Sequence, residues 1–150
     1  MIQAARAAVD AEGHVAAFTV ASMTNLPYAS RAFNAVLCLW SAFNELLEEG
    51  EQMRTIAEMW RVLDRGGFAL IEGRPYEEPT AAEVQSGTRR GPEHRIEWGL
   101  VEGILNPHYG HDEHSLRRIC ETAGVHSYRI SESEWGGRQR LLLRFDKAPA

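Results

Sequence analysis

The chain has 150 residues, enough for one domain with a real core and too few for two. Hydrophobic residues at 44 % and charged residues at 25 % are ordinary for a soluble globular protein and exclude a disordered or fibrous one. A formal charge of −5 argues against a nucleic-acid partner, which calls for a clustered basic face, so Arg89-Arg90 and Arg117-Arg118 read as solvated surface.

No apolar run is long enough to cross a bilayer, and the alanine-rich start with Arg6 does not read as a signal peptide, so no membrane is expected. Cys38 lies in an apolar run and Cys120 on the apolar side of a predicted helix. Both read as small buried hydrophobes in a reducing cytoplasm, without a disulfide framework.

In chain order, residues 2–11 predict an alanine-rich helix closed by Gly13. Residues 14–20 have strand character, with Val15, Phe18, Thr19 and Val20. Residues 22–30 predict a loop, marked by Asn25, Pro27 and Ser30. Residues 35–40 are continuously apolar, as in a strand buried on both faces of a parallel sheet.

Residues 43–49 predict a short helix stopped by Gly50. Residues 51–63 predict the best helix, with Met53, Ile56, Trp60 and Leu63 on one face and Gly66-Gly67 as a left-handed cap. A buried strand over 68–71 follows, then a surface loop over 74–92 and a strand or hairpin arm over 95–105. Asp112 predicts the cap of a helix with Leu116, Ile119, Cys120 and Ala123 on its apolar side. Strands over 126–131 and 140–145 close the chain, with Arg138 and Arg140 read as surface charges. Alternating strands and helices followed by two adjacent strands predict one α/β domain over 1–150 with an antiparallel terminal strand.

Five segments, in order, resemble a class I S-adenosylmethionine-dependent methyltransferase of the small-molecule type. Ala21-Ser22-Met23-Thr24-Asn25-Leu26-Pro27-Tyr28 is similar to the loop beside the adenine, and Phe33-Asn34-Ala35-Val36 to the entry of the fourth strand. Trp60-Arg61-Val62-Leu63 with Gly66-Gly67 resembles the run before the fifth strand, and His111-Asp112-Glu113 through Ala123-Gly124-Val125 the late helix. Met1 to Arg6 resembles the helix after the ribose-binding strand.

The resemblance implies a Rossmann-like sheet that is incomplete, because the family's first two strands, its glycine-rich turn and its ribose-gripping acid would all precede Met1. Those first two strands belong in the middle of the family sheet. Their absence predicts an open edge on the 35–40 strand, closed by a shift of the 14–20 strand, by a homodimer, or by a heteromeric partner chain. A start assigned at an internal methionine of a longer chain is the plainer account.

The resemblance implies S-adenosylmethionine as cofactor, conditional on completion of the site. The cofactor-binding candidates are Ser22 and Met23 beside the adenine, and Leu39, Trp40, Ser41 and Phe43 after the fourth strand. Ser22 replaces an expected acid, and Asn34 keeps the shape of an expected aspartate without its charge.

The resemblance puts Asn106-Pro107-His108-Tyr109 in the region where such enzymes often line the substrate mouth, and His108 or His111 is a candidate base for a hydroxyl or amine of a small-molecule substrate. A metal at His108, His111 and His114 is disfavoured by their spacing. The expected function is thus a methyltransferase or part of one. A non-catalytic methyltransferase-like partner or binding subunit is the alternative, and reuse of the fold for another reaction is a third.

Overall fold

The computed structural model describes residues 2–86, 95–101 and 103–149. Along the chain run α1 (Ile2–Ala11), β1 (Phe33–Cys38), a 3₁₀ turn (Ala42–Glu45), α2 (Glu49–Val62), β2 (Leu63–Gly73), α3 (Ala81–Ser86), β3 (Ile96–Val101), β4 (Ile104–Tyr109), α4 (Glu113–Thr122), β5 (Tyr128–Trp135) and β6 (Arg138–Asp146). Four strands form one sheet in the order β1-β2-β6-β5. β1 is parallel to β2, and β6 is antiparallel to both its neighbours, β2 and β5. β3 and β4 form a separate antiparallel hairpin. This is the α/β architecture with an antiparallel terminal strand that the alternation predicts.

β2 is the axis of the core. Its residues Ala69 and Ile71, together with Leu141, Leu143 and Phe145 of β6, are buried against Ile56 and Met59 of α2 and Leu116, Ile119 and Cys120 of α4. Alternate residues along the same strands, Phe68, Leu70 and Leu142, are only half-buried. One face of the sheet is therefore the better covered.

α2 is turned from its predicted face. Gln52, Thr55, Ile56, Met59 and Val62 are buried, while Met53 and Trp60 are half-buried. Gln52 tolerates this because its Nε2 donates to the Leu46 carbonyl at 2.6 Å. α4 follows its prediction closely: Asp112 accepts from the Ser115 N–H at 2.7 Å, and the Ser115 side chain bonds back to the Asp112 N–H.

Several expectations need correction. Residues 14–20 form no strand: among the described residues no strand pairs with them, and Val15 and Val20 are exposed. α1 buries none of its side chains. β1 is not buried on both faces: it is the edge of the sheet, with Leu37 at 55 % exposure. Within the predicted loop, α3 forms on the box Thr80–Glu83, where the Thr80 N–H donates to Glu83 and the Glu83 N–H to the Thr80 hydroxyl. The end of that loop, residues 87–92 with Arg89 and Arg90, lies outside the described residues. No helix among the described residues is long and apolar enough to cross a membrane.

Gly66-Gly67 lies within β2, beyond the helix end at Val62. The pairing register between β1 and β2 jumps here, from Phe33↔Leu63 to Ala35↔Phe68. Gly66 takes φ +75 in the bend, and a Cβ on Gly67 would lie 2.6 Å from the Asn34 carbonyl oxygen.

Gly67→Ala is therefore expected to destabilise by about 1–3 kcal/mol, since backbone must move to admit the methyl group. Gly50→Ala, inside the first turn of α2 with only Arg54 nearby, is expected to stabilise by about 0.5–1 kcal/mol. Urea unfolding of both variants checks the pair.

Candidate functional site

The parallel strands β1 and β2 end on the same side of the sheet, where crevices form in open α/β folds. Just past β1 the chain reverses. The Ala42 N–H donates to the Leu39 carbonyl at 3.3 Å, and the two central residues, Trp40 and Ser41, both have φ 58. Positive φ at both central positions is the signature of a type I′ turn, which normally carries Asn-Gly. Trp-Ser in that geometry costs about 1–2 kcal/mol per residue. The result is an indole that stands 87 % exposed at that end of the sheet.

A buried ion pair sits beneath this turn. Glu72, near the end of β2, is 3 % exposed, and its Oε1 faces Arg140 Nε at 3.2 Å without the alignment of a hydrogen bond. Its Oε2 accepts the Ser41 N–H at 3.2 Å, and Arg140 Nη1 donates to the Ser41 hydroxyl at 3.3 Å. Arg140 is thus no surface charge. Its place on β6 follows from the antiparallel pairing, which brings the start of β6 beside the end of β2. The sequence hides this pair, because 68 positions separate its members.

The β3–β4 hairpin is tied to the same end of the molecule. Asn44, buried in the 3₁₀ turn, donates through Nδ2 to the Arg74 and Tyr109 carbonyls, at 3.1 and 2.6 Å. Its Oδ1 accepts the Arg74 N–H at 3.0 Å. His108 lies on the hairpin with Nε2 3.2 Å from Glu97 Oε2 and 3.5 Å from Arg74 Nη1. Trp98 and Trp135 are exposed.

The candidate residues divide into two groups. Leu39 and Trp40 face outward, while Met23 is half-buried with its sulfur 3.9 Å from Cys38 Sγ. Ser22 Oγ is 2.8 Å from Thr24 Oγ1. Phe43 and His111, in contrast, lie in the interior and stack with ring centroids 5.2 Å apart, and Tyr109 lies on His111 at 4.8 Å. Their burial gives both a packing role in this structure. The three histidines diverge: His108 joins the hairpin, His111 points into the core and His114 is exposed on α4. Among the described residues, no group of three or more His, Cys, Asp and Glu is placed to hold a metal.

Burial also sets the chemistry of the thiols. Desolvation raises Cys38 to about 11 and Cys120 to about 12, so both stay protonated and unreactive at neutral pH.

With this geometry in hand, the likeness to known proteins is specific. A family model described as a methyltransferase domain matches residues 1–67. The solved S-adenosylmethionine-dependent methyltransferase from Clostridium acetobutylicum superposes with a TM-score of 0.69 at 9 % identity, over 98 % of this chain and 71 % of that one. The chain has a class I methyltransferase fold.

The S-adenosylmethionine-dependent methyltransferase from Methanosarcina mazei gives 0.61 at 14 % identity, over 89 % of this chain and 68 % of that one. The 1,6-didemethyltoxoflavin-N1-methyltransferase of Burkholderia thailandensis, solved with bound 1,6-didemethyltoxoflavin and S-adenosylhomocysteine, gives 0.63 at 11 % identity, over 95 % and 56 %. This methyltransferase-like chain thus spans from about half to 71 % of those three proteins. No curated protein matches the sequence.

His111 supplies a pH-dependent test of the packing. It is 2 % exposed with both ring nitrogens unpartnered, and it lines a small cavity with Phe43, Asn44, Ile71 and Leu116. Desolvation, helped by the Arg95 charge, lowers it to about 4 against upward pulls from Asp112 and Glu49.

The folded pKa lies below the ordinary 6.5, so the stability tied to the neutral ring is complete above pH 6.5 and is lost as pH falls toward about 4. That loss is on the order of 3 kcal/mol. His111→Phe keeps the stacked ring without the nitrogens. Denaturant midpoints measured from pH 7 to pH 4 are expected to show a flatter slope in this variant than in the parent.

Proposed function

We propose that this chain forms the crevice-bearing part of an S-adenosylmethionine-dependent methyltransferase for a small molecule, with its cofactor site completed by further polypeptide at the β1 edge. The observation that carries the reading is the strained turn after β1, which sets Trp40 in solvent beside an edge strand that has no outer neighbour among the described residues. A strand with apolar Leu37 outward and its outer backbone groups unpaired is a template for strand addition. The added strand comes from a longer chain, from a second copy in a homodimer, or from a heteromeric partner.

The residues present fit one side of a nucleoside cofactor. Leu39 and Trp40 offer an apolar and aromatic wall, and Ser22 and Met23 lie on the loop that follows residues 14–20. Ser41 offers less, because Glu72 and Arg140 occupy its N–H and hydroxyl. When bound, the cofactor supplies an activated methyl group. His108 is the better placed of the two histidines to accept a proton from a substrate hydroxyl or amine, with Glu97 orienting the ring. Positioning contributes more than the base in such a displacement. The two high-pKa free thiols suit a reducing cytoplasm.

A second reading, a non-catalytic methyltransferase-like binding or partner subunit, draws on the same details. Both Ser22 and Ser41 spend their polar groups inside the chain, and Ser22 stands where the family carries an acid.

Light scattering combined with calorimetric titration of S-adenosylhomocysteine separates the two. The expected result is an associating species that binds the nucleoside. Leu37→Lys should weaken the association, and Trp40→Ala should weaken ligand binding about tenfold, or 1.4 kcal/mol. A monodisperse monomer that unfolds cooperatively and ignores millimolar ligand overturns the proposal and favours the non-catalytic reading.

A further inference from the structure

A bulky aromatic residue in a left-handed turn is doubly unfavourable. Its backbone is strained, and its largest apolar surface faces water. Asn-Gly in place of Trp40-Ser41 would make the same reversal without either cost. The turn nevertheless keeps φ 58 at both positions, with Trp40 87 % exposed.

What holds it from below is equally unusual. Glu72 is a carboxylate at 3 % exposure, and the Arg140 side chain beside it is only 12 % exposed. Buried pairs of this sort are weak sources of stability, and well-packed apolar residues of similar volume often replace them without loss. The groups of this pair go largely to one residue. One Glu72 oxygen takes the Ser41 N–H, and one Arg140 nitrogen takes the Ser41 hydroxyl. Ser41 is gripped at two points on two different strands, and Trp40 is the residue carried on that grip.

We propose that Glu72 and Arg140 are positioning residues, which lock the turn after β1 in its left-handed form and so hold the exposed Trp40 indole past the end of β1 as the stacking platform for a flat or cationic ligand group. The proposal rests on the methyltransferase reading for the ligand, but the lock itself is a property of this chain alone. Neither residue needs to touch the ligand. Strain relaxes if the lock is removed, and the indole leaves its place.

The test uses the full chain, labelled for NMR, with S-adenosylhomocysteine as the probe. Removing one partner strands a buried charge, so the main variant is the paired neutral change Glu72→Gln with Arg140→Met. Backbone carbon shifts of Trp40 and Ser41 are expected to lose their left-handed values, and the Ser41 amide is expected to exchange at least about tenfold faster. Shifts in α2, α4 and β6 outside the contact stay in place.

In the same pair of samples, the ligand-induced shift of the Trp40 indole N–H in the parent should disappear in the variant. A companion variant, Trp40→Asn with Ser41→Gly, supplies the sequence the turn prefers. In that background the paired change should no longer unlock the turn, which a merely structural ion pair would not produce.

Retention of left-handed shifts at Trp40 and Ser41 in the paired variant overturns the proposal. If the parent indole never responds to the nucleoside, the cofactor reading fails, while the backbone shifts still decide the lock.

Discussion

The core of this fold is organised around β2. The strand lies between the parallel β1 and the antiparallel β6, receives α2 and α4 on one face, and ends at the buried Glu72. Its N-terminal half bends at Gly66-Gly67 so that the chain can leave α2 and enter the sheet within a few residues. Its C-terminal end delivers Glu72 under the Trp40-Ser41 turn and leads Arg74 to the hairpin. Burial of Ala69 and Ile71 fixes the register, because a slip of one residue would exchange the two faces of the strand. Packing at the middle of β2 therefore sets geometry at its end.

Much of the fold was legible because local chemistry and long-range packing agree. Asp112 and the Leu116, Ile119 and Cys120 spacing mark α4 without ambiguity, and the apolar run Leu141-Leu142-Leu143 with Phe145 marks β6. The 14–20 segment shows the limit of that logic. Its β-branched and aromatic residues state a preference, but a strand is stabilised by a neighbour, and sequence preference carries no information on whether the neighbour is there. The rotation of α2 has a similar origin. Gln52 and Thr55 read as solvent-facing, and only the placement of the Leu46 carbonyl makes burial of Gln52 tolerable.

The sequence nominates the segment after the 35–40 strand, and the structure shows where its members lie. The segment after the fourth strand was marked as site-forming, and the structure distinguishes its members by a single turn: Trp40 is thrown outward while Phe43, three positions on, is folded into the core. What no local pattern conveys is the Glu72–Arg140 pair. Arg140 sits in a strand with charged and polar neighbours, where an exposed position is the default reading. Only the antiparallel register of β2 and β6 reveals its carboxylate.

The two edges of the sheet are unlike. β1 offers Leu37 and an apolar run, whereas β5 presents Arg129, Glu132 and Glu134, all exposed along its length. Charged edges resist strand addition and apolar ones invite it. The same sheet therefore resists a new strand along β5 and leaves its apolar side along β1 without that protection.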